Sequence, residues 1–104
     1  MDMYVLDDDN RTPVRCDDIK VWGRWFGENR EKKIVKQDDV LGSRVSTVFL
    51  GLNHEWVFNL PPLLFETMIF GGEHDLYCER CTTWDQAVIQ HKRAVEMLFN
   101  VNAN

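Results

Sequence analysis

The sequence predicts an α+β fold, an antiparallel sheet of three to five strands carrying two α-helices at about 17–28 and 84–99. Three observations predict it. The stretches Arg44–Leu52 and Leu63–Phe70 are rich in β-branched and aromatic residues that alternate along the chain, the period of a strand. Trp84, Ala87, Val88, His91, Ala94, Val95 and Leu98 recur at helical spacing and fall on one arc of a long helix. A shorter stripe, Ile19, Trp22 and Phe26, does the same near the start. A chain of 104 residues with 44% hydrophobic content has the usual size of one domain around one core, so 1–104 is read as a single domain.

Taken in order, Met3–Leu6 reads as a short strand and Asp7–Asn10 as an acidic turn, the ordinary place for Asp and Asn. Asp17-Asp18 supplies carboxylates to cap the free N–H groups of the first helix. Ile19, Trp22 and Phe26 face the core on that helix, which places Val21 and Trp25 off the core face and makes Trp25 a candidate anchor for a partner. After Gly27 and Asn29, a second strand at about 32–38 carries lysines suited to a sheet edge. Gly42-Ser43 turns the chain into Arg44–Leu52, which is apolar on both faces and is expected to be central and covered on each side.

The partner strand Leu63–Phe70 is interrupted by Glu66. A carboxylate on an apolar face must be paired, protonated or lining a pocket. Between the two strands, Asn53–Pro62 is too long for a tight hairpin and holds His54, Trp56 and Phe58, the marks of an ordered functional loop. Gly71-Gly72 ends the strand, and a last strand is expected at 76–81. Thr83 and Gln86 then form a capping box for the second helix.

Twelve basic residues against seventeen acidic give a net charge of −5, which disfavours direct nucleic-acid binding but suits docking on a basic surface. The first residues lack the basic and apolar regions of a signal peptide, and no apolar run is long enough to span a membrane. An odd count of three cysteines fits a reducing compartment, hence the cytosol.

Three sets of residues are candidates for function. Trp25, His54, Trp56, Phe58 and Glu66 make the binding set. His54, Glu66 and His91 make an alternative catalytic set, a histidine–carboxylate acid/base couple, with a buried His91–Glu66 pair as its plain structural counterpart. His74, Cys78 and Cys81 have the spacing of zinc ligands, with Cys16, His54 or His91 as a fourth. A closed site needs four ligands and a second pair is missing, so no cofactor is expected and zinc is the alternative. No nucleophile elbow or glycine-rich phosphate loop occurs in the sequence.

The segments VSTVFLGLNH, PPLLFETMIFGG, YCER and TTWDQAVIQHK, together covering about 44–95, resemble a family of small bacteriophage and prophage proteins. In that family the position of Cys81 is commonly Tyr, which weighs against a zinc ligand there. The resemblance implies a phage accessory protein of the host cytoplasm. It supports the expectation of a non-enzymatic binding protein that antagonises a host process such as a bacterial defence. Its partner would be a host protein or a small nucleotide signal, and a homo-oligomer is compatible with its size. The alternative is a small hydrolase or metal-dependent enzyme using His54, Glu66 and His91.

Overall fold

The computed structural model describes residues 2–100. The order of elements is β1 (Met3–Leu6), β2 (Pro13–Cys16), α1 (Ile19–Glu28), β3 (Ile34–Val40), β4 (Ser43–Phe49), β5 (Phe65–Phe70), β6 (Cys78–Cys81) and α2 (Trp84–Phe99). The α+β class holds, with the strands divided between two antiparallel sheets. One is the hairpin β1–β2; the other is a four-stranded meander in the order β3-β4-β5-β6. The hairpin was not expected, since Pro13 lowers the strand reading of its segment.

Within the meander β3 is an edge strand, as its lysines suggest. It starts and ends two residues later than expected, because the turn is Leu41-Gly42 rather than Gly42-Ser43. Leu41 and Gly42 have φ of 50° and 82°, the paired positive values of a two-residue hairpin whose twist matches its strands. At the other edge, β6 begins at Cys78 instead of 76, since Leu76 has φ 68° and cannot extend a strand.

α2 spans the predicted 84–99, and the Thr83–Gln86 capping box forms with both bonds present. The helix lies across one face of the meander and touches all four strands. Beneath it Val45, Thr47 and Phe49 of β4 and Phe65, Thr67 and Ile69 of β5 are buried. The covering face of α2 differs from the expected stripe at one point: Val88 is half exposed, and Gln90 is buried in its stead.

The expectation that β4 and β5 are covered on both sides is overturned. Ser46, Val48, Glu66 and Met68 are only half-buried, and Arg44 and Phe70 are exposed. The reason is the placement of α1, which packs on β1 and β2 and leaves the second face of the meander without a helix.

The face of α1 also differs from its sequence reading. Asp18 Oδ1 accepts from Lys20 N at 2.8 Å, which starts the helix as expected. Ile19, however, is 69% exposed, whereas Trp25 packs edge-on to Phe49 with ring centroids 6.0 Å apart. Trp22, Trp25 and Phe26 are thus the inward residues. Leu6, Phe49, Leu64, Phe65 and Ala87 form a common cluster to which Trp25 and Phe26 add, so hairpin, meander and both helices share one core.

Gly51 fixes the approach of α1. Its carbonyl accepts from Tyr4 N at 2.7 Å and from the Trp22 indole at 3.2 Å, and that indole also donates to Tyr4 O at 3.1 Å. With φ 72° and the Phe26 ring where a Cβ would stand, any other residue is strained and has to displace that ring.

Candidate functional site

Beneath α2 a chain of hydrogen bonds crosses the meander from edge to edge. His91 Nε2 lies 2.8 Å from Asp38 Oδ2, and its Nδ1 lies 2.7 Å from Thr47 Oγ1. Thr47 and Thr67 hydroxyls are 2.6 Å apart, and Gln90 Nε2 donates to Thr67 Oγ1 at 2.9 Å and to Glu79 O at 2.7 Å. Because a carbonyl can only accept, Glu79 O fixes the Gln90 amide with its nitrogen toward Thr67. The hydrogens then run one way, from Gln90 to Thr67, to Thr47, to His91 Nδ1, with His91 Nε2–H donating to Asp38. Every buried side-chain polar atom among the described residues has a partner.

An acid, an imidazole and a hydroxyl in line have the connectivity of a nucleophilic triad. Here the hydroxyl is sealed. Thr47 has no exposed surface, and His91 is 2% exposed, so no substrate carbonyl can approach Oγ1. What the arrangement does is satisfy polar groups inside the core and tie α2 to all four strands of the meander.

The His91–Glu66 pair, the structural counterpart of the catalytic set, does not form, because the two lie on opposite faces of the sheet. Glu66 points to the uncovered face, where its Oε2 accepts from Arg80 Nε at 2.9 Å. His54 is in the loop neck, its Nδ1 2.8 Å from Leu52 O. The alternative catalytic set is therefore distributed over three places and shares no site.

The zinc set fails on the same geometry. In the extended β6, Cys78 pairs with Met68 on the uncovered face and Cys81 pairs with Phe65 on the covered one, so one ion cannot bind both. Burial, then the Glu79 charge, pushes the Cys81 thiol up to about 11, and burial raises Cys78 as well. No group of three His, Cys, Asp or Glu side chains suited to a metal occurs among the described residues.

The loop at 53–62 remains. Its neck is clamped: Asn53 Oδ1 accepts from Glu55 N at 2.8 Å and Leu63 N at 3.1 Å, His54 N donates to Leu63 O at 3.0 Å, and Asn53 N donates to Asp2 O at 3.0 Å. The tip presents apolar side chains to solvent, with Trp56 84% and Phe58 87% exposed. Between this loop and the start of β1 lies an open groove of about 690 Å³, lined among others by Asp2, Tyr4, Glu55, Trp56 and Phe58.

Of the binding set, the groove therefore takes Trp56 and Phe58. His54 stands behind it as a neck residue, Glu66 belongs to the uncovered sheet face, and Trp25 is partly buried against the core. Sequence reasoning missed Asp2 and Tyr4, which reach the groove through the isolated bridge Met3↔Leu52. That pairing joins segments far apart in sequence and leaves no local signal.

Comparison with protein-family models, with curated proteins and with solved structures finds no match to this chain. No helix among the described residues is long and apolar enough to cross a membrane.

Proposed function

We propose that this chain is a non-enzymatic binding protein whose contact surface is the aromatic loop 53–62 with the groove beside it. The observation that carries the reading is the near-complete exposure of Trp56 and Phe58 on a loop whose neck is hydrogen-bonded in place. Large exposed aromatics are the residues on which interface energy concentrates, and a neck fixed in place lowers the cost of ordering the loop on binding. A protein partner suits the groove better than a nucleotide signal, since Asp2 and Glu55 line it and no Lys or Arg does. The resemblance to bacteriophage and prophage proteins makes a host protein the expected partner, the host cytoplasm the place of action and antagonism of a bacterial defence the outcome.

Native mass spectrometry of the chain recovered from host cells tests this. A complex with one host protein at fixed stoichiometry is expected, and it should be rebuilt from the purified partners and lost with Trp56→Ala/Phe58→Ala. Retention of the partner by that folded variant, or a mass increment of a nucleotide or a metal ion in place of a protein, refutes the reading.

A further inference from the structure

The chemistry of the groove narrows the kind of side chain it receives. Tyr4, Trp56 and Phe58 line it together with Asp2 and Glu55. The aromatic rings that contact one another in this chain are Trp22, Trp25, Phe26, Phe49, Phe65 and Trp84. The cations lying over rings are Arg11, 5.9 Å from the Trp84 centroid, and Lys33, 4.3 Å from that of Phe26. Among the described residues, then, the groove aromatics are paired neither with another ring nor with a cation.

The carboxylates are similarly half used. Glu55 Oε1 accepts from Val57 N at 2.8 Å and Asp2 Oδ1 from Arg15 at 3.1 Å, whereas Glu55 Oε2 and Asp2 Oδ2 accept from no described residue. Free π faces next to free carboxylate oxygens attract a cation through both the ring quadrupole and the charge. Exposed ring faces beside carboxylates favour the planar guanidinium, which stacks and donates in the same pose, over a compact ammonium.

We propose that the groove between β1 and loop 53–62 takes an arginine side chain of the partner protein, its guanidinium stacked on Trp56 and hydrogen-bonded to the free oxygen of Glu55. This rests on the reading of the loop as a protein-binding surface and adds the residue that it recognises.

The test is a titration of the ¹⁵N-labelled chain with the blocked peptide acetyl-Gly-Arg-Gly-amide, following the Trp56 indole N–H, against the same peptide carrying neutral citrulline or lysine. The arginine peptide is expected to shift the Trp56 signal saturably. Replacing the charge with citrulline should weaken binding roughly fivefold, the scale of one exposed cation–π contact. Glu55→Gln, which keeps the bond to Val57 N, should bring arginine close to the citrulline level while the other three indole signals stay in place. Equal binding of arginine and citrulline, an unmoved Trp56 signal or an indifferent Glu55→Gln variant overturns the proposal, and equal binding of lysine overturns the choice of guanidinium. A host partner that still needs Trp56 and Phe58 but ignores Glu55→Gln would leave the binding surface standing and remove only the arginine.

Discussion

His91 Nδ1 and Thr47 Oγ1, 2.7 Å apart, join the last helix to the centre of the sheet at a point with almost no access to water. Replacing Thr47 with Val leaves His91 Nδ1 without a donor and Thr67 without an acceptor. Urea unfolding of Thr47→Val is expected to show a loss of about 1–3 kcal/mol, the cost of buried unpaired groups. Adding His91→Leu should cost less than the sum of the two single changes, because both remove the same bond.

Two glycines separate close approach from mere tolerance. Gly51→Ala puts a methyl into the Phe26 ring at a positive φ, and a loss of roughly 2–4 kcal/mol is expected. Gly23, inside α1, has nothing near the position of a Cβ, so Gly23→Ala should stabilise by about 0.5–1 kcal/mol. Thermal melts of the two variants should move in opposite directions.

Trp56→Ala/Phe58→Ala removes the two most exposed aromatics of the groove. Its stability should stay within about 0.5 kcal/mol of the parent, as for surface changes elsewhere, whereas its binding should fall by more than tenfold. Parallel urea unfolding and affinity measurements separate the two effects.

Alkaline pH should destabilise the fold. The Cys81 thiol is raised from 9.0 to about 11 in the folded chain, mainly by burial. The unfolded chain therefore loses this proton first as pH rises, and stability present below pH 9 declines between there and about 11. The raised Tyr77 phenol and Cys78 thiol act in the same direction, also chiefly through burial. The urea midpoint should fall through that window, less steeply in Cys81→Ser. Alkylation of the native chain at pH 9 should be slower at Cys81 than at the less buried Cys78.

What could be read from the sequence was local. The capping box at Thr83 and Gln86, the alternation in β4 and β5 and the carboxylate at Asp18 each declare themselves within a few residues. What could not be read depends on distant partners. Trp25 turns inward because Phe49 waits there, Gln90 enters the core because Thr67 and the Glu79 carbonyl accept its hydrogens, and His91 finds Asp38 on an edge strand rather than Glu66. The loop was recognisable by its length and aromatics; the Asp2 and Tyr4 wall of its groove was not.

The meander pairs only strands that follow one another in sequence. The bridge Met3↔Leu52 instead brings together two remote points of the chain. Asp2 and Tyr4 thus reach the groove only when the amino-terminal hairpin docks on an assembled meander. One wall of the groove therefore depends on a contact remote in sequence, and any change that loosens the docking of the hairpin removes that wall while leaving the loop in place.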